Sequence, residues 1–262
     1  MQQSLIVRTN ADPAVFAATE RNLSVLTDLG LPVPRVLAVD LSQTRFPFAY
    51  LILPRVPGRD LRYELAALTP AQKTHLTAQI VGFQRTVGAA LPLGRGFGYV
   101  GIGERGPFTS WWEMLAPPEN NTTDDVRKTA YHERLRAFEP HLRSVAPTCF
   151  LDDVTVKNVI VENGELRGLV DFDCVCYGDP LYWLALTAVG VVSDVSTPKA
   201  FFYVDELCRH LALSDQQMRV FALYAAGMTA DFLNKFAASE TLAWNQRMAA
   251  AFDGWLIAAS AA

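Results

Sequence analysis

The sequence has few cysteines, only four in 262 residues, and their spacing matches neither a metal site nor a disulfide framework. Half of the residues are apolar, so a chain of this length can bury a sizeable core without cross-links. We therefore expect four reduced thiols. Cys174 and Cys176 leave a metal or redox role open, but a small buried residue is the commoner role of cysteine.

The sequence also lacks basic runs, and its formal net charge is -4. This balance argues against a nucleic-acid partner or an anionic membrane surface, and it is compatible with a cationic substrate. The first ten residues have neither a basic region nor an apolar core of the signal-peptide type, and no apolar run approaches a membrane-spanning length. The sequence thus predicts a cytoplasmic globular protein without a membrane partner.

The segment 149–182 contains the residues that indicate a catalytic site. Asp153 and Asn158 are five positions apart, and an apolar run follows. Asn163-Gly164 then predicts a tight hairpin turn, which brings Asn158 and the later Asp171 to the same end. Amide and carboxylate oxygens are ligands that Mg²⁺ uses beside substrate phosphates, and a third carboxylate can take a proton from a hydroxyl. An ordinary hairpin with acidic ends is the alternative interpretation.

This layout resembles the aminoglycoside phosphotransferase family of kinase-like enzymes, which carries H-G-D-x-x-x-x-N, a hairpin, D-[FW]-[EDG] and then G-D-P. The corresponding positions of this chain are Leu151-Asp152-Asp153, Asn158, Asp171-Phe172-Asp173 and Gly178-Asp179-Pro180. Leu151 and Asp152 depart from the family pattern. A second acid at position 152 would raise the pKa of Asp153 if both carboxylates faced the site.

The resemblance implies an α+β, protein-kinase-like fold with two lobes. We expect a small nucleotide-binding lobe of one sheet and one helix over 1–57, and a mainly helical catalytic and substrate lobe over 58–262. It also implies roles for three residues, with Asp153 as the catalytic base and with Asn158 and Asp171 as Mg²⁺ ligands.

Candidate nucleotide-binding residues lie in the first 57 positions. Asp12-Pro13 predicts the start of a helix that runs to Gly30 and places Glu20 on its apolar face. Arg8, in the strand before it, is the natural partner of Glu20. By resemblance the two position the nucleotide's phosphates, although a surface glutamate is the alternative. The resemblance also assigns the adenine contacts to the Pro54 carbonyl and the Val56 N–H, in a turn that otherwise reads as a connector or hinge.

The chain begins at what corresponds to the family's third strand, so we expect a shortened small lobe without the glycine-rich covering loop. G-x-G-x-x-G occurs at Gly96, Gly98 and Gly101, but it follows a helix predicted over 70–89 instead of a strand, so we interpret it as unrelated to phosphates. After Gly178-Asp179-Pro180 the sequence predicts helices over 181–192, 198–213, 215–238 and 242–259.

The predicted function is transfer of the γ-phosphoryl group of ATP or GTP to a hydroxyl of a small molecule such as an aminoglycoside, an amino alcohol or a sugar, with Mg²⁺. A catalytically inactive kinase-like protein that binds a nucleotide or a partner is the alternative, motivated by the short small lobe and Leu151. A homodimer in which a second chain covers the nucleotide is a third alternative.

Overall fold

A computed structural model describes residues 4–116, 125–195 and 197–260, the side chain of residue 198 excepted. The elements lie in an α+β arrangement with small antiparallel sheets, as predicted. In chain order they are β1 (Leu5–Asn10), α1 (Pro13–Asp28), β2 (Ala38–Asp40), β3 (Ala49–Pro54), β4 (Arg59–Asp60), α2 (Leu61–Glu64), α3 (Pro70–Ala90), β5 (Gly98–Val100), α4 (Trp111–Leu115), α5 (Val126–Ala137), α6 (Glu139–Ser144), β6 (Thr148–Phe150), β7 (Val159–Glu162), β8 (Glu165–Leu169), β9 (Val175–Gly178), α7 (Leu181–Asp194), α8 (Pro198–Leu211), α9 (Asp215–Phe236) and α10 (Leu242–Ala258).

The small lobe is a three-stranded sheet in the order β1-β3-β2, covered by α1. Asp12 caps α1 by accepting a hydrogen bond from the Ala14 N–H, which confirms the predicted helix start. The register places Arg8 opposite Leu51, so pairing with β3 fixes the position of the arginine in the sheet. The boundary between residues 57 and 58 remains a prediction.

The β7–β8 hairpin forms where Asn163-Gly164 predicted it, with φ angles of 56° and 80° at the two turn residues. β4 adds to the other edge of β7. Gly58 precedes β4 with φ 111°, and a Cβ there would collide with the Val161 carbonyl, so glycine is required at this crossing between the lobes.

A third sheet, in the order β5-β9-β6, lies in the large lobe and carries the loop that begins at Leu151. Gly98 opens β5, which places the G-x-G-x-x-G motif after α3 and in the sheet of the large lobe instead of the small lobe's sheet.

Helices make up most of the large lobe. The capping box of Thr69 and Gln72 starts α3, and the four helices predicted after position 180 are present with ends shifted by one or two residues. The middle of α9, from Val220 to Ala230, is buried throughout, since α7, α5 and α10 surround it. Across the described residues, no helix combines the length and apolar character needed to cross a bilayer.

Candidate active site

The buried amide side chain of Gln84, on α3, binds the backbone of the loop that carries Asp153. Gln84 Nε2 donates to the Leu151 carbonyl at 2.7 Å, and its Oε1 accepts from the Leu151 N–H at 2.9 Å. Both backbone groups are buried and need these partners. Leu151 itself is fully buried, so the residue that replaces the family's histidine serves as core.

Asp153 keeps solvent access while its carboxyl is held by a neighbour. Thr155 Oγ1 donates to Asp153 Oδ1 at 3.0 Å. Desolvation by the surrounding protein, with the charge of Asp171 adding to it, raises the pKa of Asp153, although the Thr155 hydrogen bond opposes the shift. The raised pKa makes the Asp153 carboxylate a better proton acceptor than an ordinary aspartate.

Asn158 and Asp171 meet at one end of the β7–β8 hairpin, as the sequence predicted. The Val170 N–H donates to the Asn158 carbonyl at 3.0 Å, which closes the hairpin base. Asn158 Nδ2 donates to the Asp153 carbonyl at 3.0 Å, so its Oδ1 is the atom left for a ligand. Asp171 adopts φ 69°, a left-handed conformation that costs energy for a residue with a Cβ and that points to a functional constraint.

Arg8 does not pair with Glu20, so that prediction is wrong. Its guanidinium makes a two-pronged ion pair with Asp173, with Nη1 to Oδ1 at 2.7 Å and Nη2 to Oδ2 at 2.6 Å. Nη2 also lies 3.4 Å from Asp171 Oδ1. Desolvation lowers the pKa of Arg8, but the Asp173 and Asp171 carboxylates overcome this and leave it raised.

Glu20 is exposed on the outer side of α1, where it lines a separate groove with Ser24 and Arg35. The helical spacing placed it beside Phe16 and Leu23, but the helix turns its carboxylate away from the cleft between the lobes. Its assignment to nucleotide binding therefore gains no support from its position.

Two buried residues of α1, Thr19 and Asn22, bind the segment that follows Asp171. Thr19 Oγ1 donates to Asp173 Oδ1 at 2.7 Å, and Asn22 Nδ2 donates to the Phe172 carbonyl at 3.0 Å. Asn22 Oδ1 accepts from the Ile102 N–H at 2.8 Å. Sequence reasoning missed both residues. The available signal was two polar side chains, three positions apart, on an apolar helix face.

A cleft of about 440 Å³ lies between the lobes. Arg8, Asn158 and Asp171 line one part of it, and Pro54 and Val56 of the turn after β3 line another. Its apolar walls are Ile6, Leu23, Leu53, Ile160, Val170 and Phe172. The cleft therefore combines apolar walls with charged and polar side chains, which suits a ligand with an apolar ring and an anionic tail.

The second departure from the family motif, Asp152, is only 9% exposed. Its Oδ1 has no hydrogen-bond partner in the described structure. Desolvation, followed by the charge of Asp153, raises the pKa of Asp152 to about 8. The predicted effect of Asp152 on the pKa of Asp153 is not found, since desolvation and Asp171 raise that pKa; instead the charge of Asp153 raises the pKa of Asp152.

Asp179 links the start of α7 to α9 in the large lobe. Its Oδ1 accepts from the Leu181 N–H at 3.0 Å, and its Oδ2 accepts from the Tyr224 hydroxyl at 2.8 Å. Tyr224 in turn accepts from Trp111 Nε1 at 2.9 Å. Trp111 is fully buried, so it is a core residue. Lys157 Nζ pairs with Asp194 Oδ2 at 3.1 Å.

The oxygen atoms of Asn158 and Asp171 fit a magnesium ion by their chemistry. No group of three or more His, Cys, Asp or Glu side chains that could hold a metal occurs in residues 4–116, 125–195 and 197–260. A site with one carboxylate and one amide matches the way Mg²⁺ is bound by few protein ligands together with water and phosphate oxygens.

Comparisons with known proteins identify the family of the chain. The model of the phosphotransferase enzyme family, APH, matches residues 2–219. No curated protein matches the sequence.

Solved structures share the fold at low sequence identity. The apo form of a thermostable mutant of aminoglycoside phosphotransferase APH(4)-Ia is 18% identical, with a TM-score of 0.73 over 99% of this chain and 89% of that one. A ternary complex of that enzyme with AMP-PNP and hygromycin B gives 17% and 0.67, with 99% and 88% covered. The GDP and kanamycin complex of APH(2")-IIia gives 14% and 0.64, with 96% and 86% covered. With the family model matching most of its length, this chain belongs to the phosphotransferase enzyme family and is an enzyme of the aminoglycoside phosphotransferase type.

Proposed function

We propose that the chain transfers the γ-phosphoryl group of ATP or GTP to a hydroxyl of a small molecule. The observation that carries the proposal is that Asn158 and Asp171 line the charged part of the cleft between the lobes, while the Asn158 side chain bonds the backbone of Asp153. Asp153 lies in the loop after β6, Asn158 directly precedes β7 and Asp171 follows β8, so the fold itself brings them together.

In the proposed reaction, the hydroxyl oxygen of the acceptor forms a bond to the γ-phosphorus while Asp153 accepts the hydroxyl proton. The bond from the γ-phosphorus to the bridging oxygen breaks, the nucleoside diphosphate leaves, and Asp153 later returns the proton to solvent. Thr155 orients the carboxylate through its 3.0 Å hydrogen bond. Asn158 and Asp171 would hold Mg²⁺, which supplies charge stabilisation to the phosphates when bound.

The nucleotide is assigned to the cleft by its shape and charge. We assign the edge of a purine to the Pro54 carbonyl and the Val56 N–H, because both residues line the cleft, and its faces to the apolar walls. Arg8 lies at the charged end and can reach phosphate oxygens if it leaves Asp173. Related structures contain AMP-PNP and GDP, which supports a nucleoside triphosphate donor without choosing between ATP and GTP.

The acceptor is a small molecule with a free hydroxyl. The related structures hold hygromycin B or kanamycin, and the net charge of -4 favours a cationic compound of this kind over an anionic one. Acidic residues on α7 and α9, Asp194 and Asp231, form ion pairs with Lys157 and Lys128.

Calorimetric titration of Mg²⁺ with ATP, and separately with GTP, tests the donor site. We expect binding to the intact chain and a loss of at least about tenfold in affinity in Asp171→Ala, because a charged ligand of the metal is removed. The exposed Asp253→Ala is the matched control and is expected to bind normally. Failure of the intact chain to bind either nucleotide overturns the proposal.

A nucleotide-binding protein without transfer activity is the second candidate. Leu151 in place of histidine and the three-stranded small sheet favour it. The retention of Asp153 with a partner that orients it favours the enzyme, since binding alone has no need of a base. Nucleotide binding without phosphoryl transfer to any hydroxyl compound in a broad screen would decide for the second candidate.

A homodimer is proposed from the free edge of β1. The Arg55 N–H donates to the Ser4 carbonyl, so by the antiparallel alternation the N–H and C=O groups of Leu5, Val7 and Thr9 face away from β3. In the described residues β3 is the strand that pairs with β1, and Val7 is 61% exposed. Two copies of this edge can pair in antiparallel fashion about Val7, which places Leu5 of one copy opposite Thr9 of the other and brings no like charges together. The pairing adds a strand beside the nucleotide cleft.

Sedimentation equilibrium tests the dimer. We expect Val7→Lys to convert a dimer into a monomer, because a charge on a free edge blocks strand pairing. Leu93→Lys is the control, since Leu93 is an equally exposed apolar residue far from the sheet. A monomeric native chain would contradict the proposal.

A further inference from the structure

A second groove, on the large lobe, is lined by basic side chains. It lies where α5 and α6 meet the start of α9 and the end of α10, and its volume is about 660 Å³. Arg134, His141 and Arg219 line it, and the described residues place no acidic side chain in its wall. The chain as a whole has a net charge of -4, so this groove runs against the overall balance and indicates a ligand of negative charge.

Arg134 is placed to bind an anion. It is half-buried near the end of α5, and within the described part of the chain no carboxylate pairs with it. Glu139, the acid that begins α6, is already paired with Arg143, Oε1 to Nε at 2.7 Å, and neither residue lines the groove. A guanidinium without a partner can bind two oxygen atoms of a phosphate or carboxylate group at once.

His141 connects the groove to the interior of the large lobe. Its side chain is 33% exposed, but Nε2 is buried without a hydrogen-bond partner in the described structure and lies 3.8 Å from Asp179 Oδ2. The exposed part is therefore the rest of the ring, which forms part of the groove wall. An imidazolium at this position lies between the Asp179 carboxylate and an anion in the groove, so both stabilise its charge.

The groove also has the size and the apolar surface for an organic ligand. It is larger than the cleft of about 440 Å³ between the lobes and falls within the range of small-molecule sites. Ala137, Phe138 and Pro140 supply apolar wall, and Ser144 and Gln216 supply polar groups. Apolar surface beside basic side chains suits an anion that is attached to an apolar group.

We propose that this groove binds a phosphate monoester with an apolar substituent, with the phosphate at Arg134 and His141 and the substituent against Phe138. A phosphate dianion matches several basic side chains better than a carboxylate, which carries a single charge. None of the residues that line the groove in the described structure also lines the cleft between the lobes. The proposal therefore goes beyond phosphoryl transfer and does not depend on it.

Calorimetric titration with phenyl phosphate, in the absence of nucleotide and Mg²⁺, tests the site. We expect the native chain to bind it and Arg134→Gln to bind it at least about tenfold more weakly, because a charge-assisted pair is lost. Arg136→Gln is the matched control, since Arg136 is exposed on the same helix and does not line the groove. Benzyl alcohol, which has the ring without the phosphate, should bind to neither protein.

Ser144→Asp gives a second variant at an exposed position, where substitution disturbs the fold little. The added negative charge should also weaken phenyl phosphate binding at least about tenfold, by repulsion. The proposal is overturned if the native chain does not bind phenyl phosphate, if benzyl alcohol binds equally well, or if both variants retain the native affinity. Failure of the chain to bind Mg²⁺ with a nucleotide would instead contradict the proposed function and leave this result unchanged.

Discussion

Replacement of Asp153 by asparagine is expected to lower kcat by about 10²- to 10⁴-fold, the usual contribution of a general base. Asparagine retains the shape of the side chain and can still accept the hydrogen bond from Thr155. It cannot take up a proton from the acceptor hydroxyl. Because Asp153 is not among the residues that line the nucleotide cleft, the affinity for Mg²⁺ and ATP should change little.

The measurement is steady-state ADP release with an acceptor found by screening hydroxyl compounds, over a range of pH. The raised pKa of Asp153 places the acidic limb of kcat/KM at a higher pH than an ordinary aspartate would, and this limb should disappear in Asp153→Asn. Asp253→Asn, on the exposed side of α10, should retain full activity. A kcat for Asp153→Asn within about threefold of the native value would exclude Asp153 as the base.

Replacement of Gln84 by alanine is expected to cost about 2–4 kcal/mol of stability and to lower kcat at the same time. The substitution leaves the buried N–H and C=O of Leu151 without partners and opens a cavity between α3 and the loop. The loss is transmitted to Asp153 because it lies two residues further along the same loop.

Gln79→Ala is the matched control for this prediction. Gln79 lies on the same helix, but its Oε1 is buried without a hydrogen-bond partner, so its removal should lower the free energy of unfolding only slightly. Urea denaturation of both variants gives the two free energies of unfolding. Equal values for Gln84→Ala and Gln79→Ala would contradict the assigned role of the Gln84 amide.

Local patterns made much of this site predictable. The Asn163-Gly164 turn and the lengths of the two apolar runs determine that Asn158 and Asp171 return to one end of the hairpin, and both signals lie within a few residues. Helix starts at Pro13 and Pro70 were equally local, because a cap and a proline define them.

The partners of Arg8 were not predictable in this way. Asp173 is 165 positions away, and only the packing of α1 against the loop after β8 brings it within 2.7 Å. Glu20 was the nearest acid in sequence, but the orientation of α1 on its sheet turns it to the surface. The amide of Gln84, 67 positions before Leu151, was missed for the same reason. Spacing along the chain carries no information about such distant side-chain pairs.

The ion pair between the lobes also makes metal affinity a property of the whole molecule. Arg8 stands on β1 and reaches Asp173 and Asp171, whereas Asp171 is a proposed ligand of the metal. A cation bound at Asp171 and the guanidinium therefore compete for the same negative charge. By thermodynamic reciprocity, if bound magnesium weakens the ion pair that attaches the small lobe, that ion pair weakens the binding of magnesium by the same factor. Mutations on the sheet, far from any phosphate, should thus alter the metal concentration at which the enzyme is half-saturated.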